Sequence, residues 1–335
     1  MTQFAVLHSP EEWMSKFGAD TSAVVGNVRR TVLSVGNFDG MHLGHQKILR
    51  AVVERAQATG ALAGVVTFDP HPLKVLRPAQ APPLVETLEQ RLANFQTLGL
   101  DAALVLHFDA ALARSSPEEF AGGILANRLR ASALLVGQNF RFGYRQAGDV
   151  ARLQRIGGEF GFAVEIIAPV IVGGEVVSSS AVRRAVAEGR VAEAARLLGR
   201  PFALIGKIER GAGRGSTIVV PTLNLATEQE LLPRTGVYAT ETQAAGGLFR
   251  SATNVGFRPT FDGEGSRISI ESHLFDFNAR LVEGPLEVRF WERLREERKF
   301  GGPEELRAQI AADLDQAREF FRRLDAARDI QQQLA

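Results

Sequence analysis

Val35-Gly36-Asn37-Phe38-Asp39-Gly40-Met41-His42-Leu43-Gly44-His45 decides how the first half of this chain folds. An apolar, β-branched run, Thr31–Val35, precedes it and reads as a strand. Gln46–Ala58 follows, with Ile48, Leu49, Val52, Val53 and Ala56 on one helical face. The stretch is therefore a strand-to-helix turn opening an α/β unit. Such a turn aims backbone N–H groups and the positive end of a helix dipole into the crevice beyond the sheet. His42 and His45 flank Gly44, which keeps side-chain bulk away from the backbone there. A phosphate in this turn would meet the dipole, the amides and two imidazole donors. The competing reading is a Gly-rich turn with incidental surface histidines.

Composition bounds the rest. The chain has 335 residues, one large domain or two ordinary ones, and 45% of them are apolar, enough for full cores. Its 39 basic and 38 acidic residues give no global field for nucleic acid or a membrane surface. Cysteine is absent, which excludes disulfides, thiolate metal sites and Cys nucleophiles. Met1–Asp20 carries acids and no apolar core segment, unlike a signal peptide, and no stretch approaches a transmembrane helix in length. The expectation is a cytoplasmic protein with neither membrane nor nucleic-acid partner.

Strand-like runs recur at Thr31–Val35, Gly64–Phe68, Ala102–Phe108, Ala133–Val136 and Ala163–Ile167. Helical patterns lie between them at Gln46–Ala58, Leu88–Thr97, Pro117–Leu129 and Asp149–Gly161. This βαβα alternation predicts a parallel sheet with ligands outside the carboxyl ends of its strands. After the second strand, Phe68-Asp69-Pro70-His71-Pro72 sets an acid and an imidazole on a proline-stiffened loop. After the fourth, Gly137-Gln138-Asn139-Phe140-Arg141-Phe142-Gly143, closed by Ala147-Gly148-Asp149, suits a flat ligand with polar edges. After the fifth, Val177-Ser178-Ser179-Ser180-Ala181-Val182-Arg183 opens a helix. Its hydroxyls either cap that helix or, with Arg183 one turn in, face a phosphate from the side opposite His42 and His45.

The character changes after Gly199-Arg200-Pro201, a helix stop. Short runs with glycine turns follow at Phe202–Ile208, Ser216–Leu225, Gly236–Gln243, Leu248–Gly256, Arg267–Phe275 and Pro285–Trp291. They predict a small antiparallel barrel. A last helix from Pro303 to about Arg323 carries Leu306, Ile310, Leu314, Ala317 and Phe321 on one face, to pack on that barrel. Gly213, Arg214 and Gly215 lie in a basic Gly-rich loop that either cradles phosphate or is a plain hairpin turn. Thr222 and Asn224 put hard oxygen ligands on one side of a strand, suited to Mg²⁺ held jointly with ATP phosphates. Glu271 alternates with the core-facing Ile268 and Ile270; by itself it is an exposed strand residue.

The H-x-G-H core is similar to the signature of nucleotidyltransferases and class I aminoacyl-tRNA synthetases. With its neighbours it resembles more: G-N-F-D-G-x-H-x-G-H, T-F-x-P-H-P, N-F-R-F-G and S-S-x-x-x-R match the adenylyltransferase module of the bacterial riboflavin kinase/FAD synthetase family. Arg214 to Asn224, Ala252 to Phe261, Glu271 to Phe277 and Leu294 to Phe300 resemble the kinase module of that family, in its order. Departures are Gln138 for an acid, Ser180 for Thr, Val177 for Ile, and Val219-Val220 for Gly-Phe.

The resemblance implies a Rossmann-like nucleotidyltransferase α/β domain over residues 1–184, a linker helix over 185–200, and a kinase barrel with a final helix over 201–335. It implies riboflavin, FMN and ATP as substrates and Mg²⁺ as cofactor. His42, His45, Arg183 and Glu271 would be catalytic, Glu271 as the base. ATP would sit on Gly36, Asn37, Phe38, Asp39, Gly40, His42, Gly44, His45, Ser178 and Ser179 in the first module. In the second it would sit on Gly213, Arg214, Gly215, Thr222 and Asn224, with Thr222 and Asn224 on the metal. The flavin would face Phe68, Asp69, Pro70, His71, Asn139, Phe140, Arg141 and Asp149. Two other readings stay open: an adenylyltransferase for another phosphorylated metabolite, and a flavin-binding regulator whose kinase site has decayed. Oligomeric state is not legible.

Overall fold

In the computed structural model the described residues are 3–18, 29–209, 222–259, 266–277, 279 and 281–333. Contacts divide the chain into two units, with the boundary between Ser179 and Ser180.

The first unit begins with β1 (Ala5–Leu7) and α1 (Pro10–Phe17), followed by β2 (Thr31–Val35) and α2 (Leu43–Thr59). Then come β3 (Leu62–Asp69), α3 (Pro72–Leu76), α4 (Leu88–Thr97) and β4 (Ala102–His107). A helix at Glu119–Arg128 leads to β5 (Ala131–Gly137), α5 (Val150–Phe160) and β6 (Ala163–Ile167). A hairpin of β7 (Ile171–Val172) and β8 (Glu175–Val176) ends the unit. The six main strands form one sheet in the order β1-β4-β3-β2-β5-β6, every pair parallel. Helices cover both faces, which is why the strands are apolar without alternation. Leu33, Val66, Leu104 and Leu134 pack with Trp13, Phe120, Leu125 and Leu153 on one side. Val32, Val65, Ala103 and Leu135 pack with Leu49, Val52 and Phe95 on the other. Successive connections run outward from β2 to β4, then return to β5 on the far side of β2. The turn after β2 thus lies at the point where strand order reverses, where such sheets bind ligands.

Three local details depart from the sequence expectation. The N-terminal segment, to which the pattern assigned no element, supplies β1 at the sheet edge and α1, whose Trp13 is buried at 2% exposure. A three-residue strand is too short to show periodicity, and Gly64 makes room for the ring: a Cβ there would lie 2.7 Å from Trp13 Cη2. Glu119–Arg128 is wound as a π-helix, not an α-helix; Leu129 N–H, for example, donates to Ile124 O, five residues back. The hairpin turns through Gly173 and Gly174, both at positive φ (60° and 84°), the two-residue turn that needs glycine or asparagine.

Helix α6 (Ser179–Ala187) starts at the boundary and runs into the second unit, where α7 (Val191–Leu198) follows. The expected single helix is broken at Gly189, which has φ 77°. A Cβ there would lie 2.7 Å from Arg293 Cδ. Then come β9 (Phe202–Glu209), β10 (Leu223–Ala226), β11 (Gly236–Ala244), β12 (Gly247–Pro259), β13 (Ser266–Leu274), β14 (Pro285–Arg295) and α8 (Pro303–Gln333). The six strands close into an antiparallel barrel in the order β10-β13-β12-β11-β14-β9. Closure removes the edges that short strands would otherwise leave unpaired. One face of the strands points into the lumen, where Leu204, Tyr238, Val255, Val288 and Phe290 pack. Thr240, Thr242, Ser251, Thr253 and Ser272, also buried there, satisfy one another by hydroxyl hydrogen bonds of 2.6–2.8 Å. The other face meets α8, whose Leu314, Ala317 and Phe321 pack on Ala239, Ala252 and Phe275. A two-pronged Arg295–Asp313 pair, 2.7 Å at each prong, fastens β14 to that helix.

Candidate active sites

His42 is the N-cap of α2, with extended backbone (φ −66°, ψ 167°), and its Nδ1 accepts from His45 N–H at 3.3 Å. A neutral His42 ring therefore carries its proton on Nε2, pointing away from the cap as a donor. The His45 ring stacks on it at 3.6 Å between centroids and 20° between planes. Gly44 is what permits the stack: a Cβ there would lie 3.1 Å from His42 Cε1. Phe38 meets His45 edge-on at 5.2 Å and Phe95 of α4 at 5.7 Å. Phe38 and Met41, both buried, hold positive φ (51° and 41°), so the turn stores strain that its surroundings must hold in place.

The rest of that turn is anchored on several sides. Asp39 is buried, and its carboxylate accepts from Val85 N–H (2.9 Å) and Glu86 N–H (3.2 Å). Gly40, at φ 86°, sits against Val85. Ser179 Oγ donates to the Asp39 carbonyl at 2.9 Å, which brings the Ser178-Ser179 pair to the turn. Asn37 meets His71 across 3.0 Å from its side-chain amide to Nε2. His71 Nδ1 caps α3 by accepting from Leu73 N–H, so a neutral ring carries its proton on Nε2; Asn37 Nδ2 lies at that atom, and turning the amide about its own axis brings the Asn37 oxygen to the proton. Asp69 and Pro70 share the loop with His71, joined by a cis peptide bond, while Phe68 packs inward against Phe108 and Phe120. After β5, Phe140 stacks on Phe142 (5.4 Å, 14°), and Arg141 lies 3.6 Å from Asp149. Asp149 caps α5 by accepting from Arg152 N–H at 2.8 Å, and that bond, with Arg141 beside it, holds its carboxyl below the usual range. Gln138 is exposed at the head of this loop. Arg183 lies in α6, on the second unit.

In the barrel, strand register assembles a polar row. Asn224 on β10 stands opposite Glu271 on β13, and Asn254 on β12 stands opposite the same Glu271 from the other side. Glu209 on β9 stands opposite Asn224. Residues paired in this way project from one face of the sheet, here the outer one. Ser269 Oγ donates to Glu271 Oε1 at 2.9 Å. Thr222 immediately precedes β10 and is exposed. Beyond the row, Glu297 accepts from Phe257 N–H at 3.3 Å. Gly256 leaves it space, since a Cβ there would lie 2.6 Å from Glu297 Oε1 and 3.0 Å from Asn254 Nδ2. Gly213, Arg214, Gly215, Val219 and Val220 lie outside the described residues.

Two residues at these sites escaped the sequence reading. Asn254 lies in the motif Ala252 to Phe261 but was not singled out; register sets it opposite Glu271. Arg91 carried a signal: it shares the buried face of α4 with Leu88, Leu92 and Phe95, a cation on an apolar stripe.

A parallel α/β sheet with two stacked histidines, one of them the N-cap, at the start of the helix at its switch point defines a nucleotidyltransferase-type domain. The second unit is a closed barrel with a carboxylate set between two amides. The FAD synthetase family pattern matches residues 25–181 and the riboflavin kinase pattern matches 198–321. The chain belongs to the bifunctional riboflavin kinase/FMN adenylyltransferase family, enzymes of FAD biosynthesis. It is 36% identical to the Escherichia coli K12 member over 87% of this chain and 92% of that one. It is 38% identical to the Pseudomonas fluorescens member, over 87% and 93%. A crystal structure from Streptococcus pneumoniae, described as a macrolide-efflux protein, shares the fold at a TM-score of 0.80 and 26% identity, covering 94% of this chain and 98% of that one. No helix among the described residues of this chain is long and apolar enough to cross a membrane.

Proposed function

We propose that FMN adenylylation occupies residues 1–184 and riboflavin phosphorylation residues 201–335, with 185–200 joining them. What supports this most is the His42–His45 stack at the N-terminus of α2. It sets two imidazoles and the positive end of a helix dipole at one point, an arrangement suited to a phosphate chain.

In the adenylyltransferase, an FMN phosphate oxygen attacks the α-phosphorus of ATP. The new P–O bond forms as the bond from the α-phosphorus to the α–β bridging oxygen breaks, and pyrophosphate leaves with that electron pair. The nucleophile is already an anion, so no proton must be removed. His42, through Nε2–H, and His45 stabilise charge gathering on the phosphates. The amides of Asn37 to Gly40 and Gly44, with the hydroxyls of Ser178 and Ser179, complete the phosphate contacts, while Gly36, whose N–H donates to Val66 O at 3.1 Å, lines the turn by its bare backbone. Arg183 supplies the cation of the same sequence motif. Asn139, Phe140 and Arg141 face the flavin, with Asp149 holding Arg141 in place. Phe68, Asp69, Pro70 and His71 form the loop on the β3 side, with Phe68 supporting it from the core.

In the kinase, the γ-phosphoryl group of ATP passes to the riboflavin 5′-hydroxyl, and Glu271 accepts the hydroxyl proton. Thr222, Asn224 and Glu271 offer a hydroxyl, an amide oxygen and a carboxylate. This all-oxygen donor set fits Mg²⁺ and suits no soft metal. Thr222 and Asn224 would hold the ion, which would neutralise phosphate charge when bound. Gly213, Arg214 and Gly215 are assigned to the ATP phosphates. The enzyme would work in the cytoplasm, where ATP serves both steps.

The test is incubation with riboflavin, ATP and Mg²⁺, followed by chromatographic separation of flavins. FMN followed by FAD is the expected outcome. Riboflavin recovered unchanged, together with FMN that never becomes FAD, would defeat the proposal.

A further inference from the structure

Arg91 is buried at 4% exposure, and its guanidinium bonds to oxygens that carry no charge. Its Nη1 donates to the Asn37 carbonyl at 2.6 Å and to Thr67 Oγ1 at 3.1 Å. Thr67 Oγ1 donates to the same carbonyl at 3.3 Å. Burial pulls the guanidinium below its ordinary pKa, against the charges of Asp39, Asp69 and Glu86. Among the described residues its buried Nε has no hydrogen-bond partner. A buried cation with an unsatisfied donor is a poor device for stability, since an apolar side chain of similar size often does as well or better. Its value must lie in what it holds.

What it holds is the strained turn beyond β2. Asn37 is the second residue past that strand, and Thr67 lies near the end of β3, so the guanidinium ties the ends of two central strands together. The Asn37 side chain engages His71. The next residue, Phe38, takes positive φ and places its ring against His45. The same helix, α4, supports that ring through Phe95. Helix α4 thus grips the turn twice, by the Asn37 peptide and by the Phe38 ring, and both grips lead to an imidazole.

We infer that Arg91 is a positioning residue for adenylyl transfer, fixing the Asn37 peptide so that His71 and the His42–His45 stack keep their orientation. This rests on reading the first unit as the adenylyltransferase. Arg91 touches no substrate in this account and acts through Asn37 and Phe38.

The experiment uses the full-length chain and the variants R91M, R91K and T67V. FMN-to-FAD and riboflavin-to-FMN conversion are measured on the same preparations. With six histidines in the chain, imidazole ¹⁵N signals can be assigned and the His71 tautomer followed. A misplacement near 1 Å costs about 10²-fold, so R91M should lower kcat for FAD formation roughly 10- to 100-fold. KM for FMN and ATP should change little. Riboflavin phosphorylation should persist, the His71 Nε2–H signal should move, and R91K should recover part of kcat. A merely structural role predicts a lower melting temperature with kcat intact well below it, and that result overturns the inference. If R91M does not fold, T67V decides. A reduced kcat with a shifted His71 signal supports the clamp, and no change in both overturns it. Wild-type protein that makes no FAD from FMN and ATP would strike the adenylyltransferase reading itself, and the inference with it.

Discussion

Asn224 and Glu271 face one another directly across β10 and β13, so an amide stands beside the carboxylate assigned as the kinase base. Asn254 holds the corresponding place on the other flank. Ser269 Oγ donates to one of the Glu271 oxygens at 2.9 Å. Glu271→Gln preserves size and removes the base. Loss of a general base costs roughly 10²- to 10⁴-fold, and FMN formation should fall by about that much. FAD formation from supplied FMN should be nearly unaffected, because no residue is shared between the two assigned sites. Chromatography of products from riboflavin and from FMN, run separately, checks this; loss of both steps in a variant with native circular dichroism would refute the division.

Gly44→Ala should do the reverse. The added methyl would sit 3.1 Å from His42 Cε1 and 3.2 Å from His42 Nδ1, so the His42 ring must give way and its stack on His45 is disturbed. Displacing one charge-stabilising donor costs on the order of 10²-fold. FMN should accumulate from riboflavin while FAD stays near background. Equal FAD yields from Gly44→Ala and the parent protein would show that the stack is not used.

Removal of divalent metal should stop riboflavin phosphorylation, since Thr222 and Asn224 offer only oxygens, which need a cation between them and the ATP phosphates. Activity should return with Mg²⁺ and fail to return with a soft ion such as Cd²⁺. Full turnover in excess chelator would contradict the assignment of Thr222 and Asn224.

Tyr238 makes stability depend on alkaline pH. Its hydroxyl donates to the Arg234 carbonyl inside the barrel wall, and burial pushes its pKa up from 10.0 to about 12. The unfolded chain loses this proton first. The stabilisation is therefore complete below pH 10 and is lost as pH rises through about 12, at up to ~1.4 kcal/mol per pH unit. The chain has two tyrosines, so phenolate absorbance in a Tyr144→Phe background reports Tyr238 alone. Denaturant titrations should show that part of the alkaline slope vanishing in Tyr238→Phe. A Tyr238 midpoint near 10 in the folded protein would refute the claim.

Much was legible before any coordinates. The run Thr31–Val35, the glycines and histidines after it and the apolar face of Gln46–Ala58 together determine a strand, a turn and a helix. Their chemistry is local: β-branched side chains, a polar N-cap and a face repeating every three or four residues. The change to short strands after Gly199 and the stripe from Ile310 to Phe321 are legible for the same reason. Local pattern did not reach the β1–α1 segment, where one tryptophan in a cleft left by Gly64 replaces periodicity. The break at Gly189 was missed although its cause is local: a glycine at φ 77° whose N–H, with that of Arg190, closes back on Val186 and Ala185. The sites divide likewise. His42, Gly44 and His45 are neighbours in sequence, so their grouping was readable, but the ring stack was not. Glu271 has Asn224 and Asn254 beside it only because barrel closure sets the register of three strands. Arg91 meets Asn37 only because α4 packs over the ends of β2 and β3. Motifs set which groups are present within one turn of chain; packing of distant segments alone decides which groups meet and which are held still.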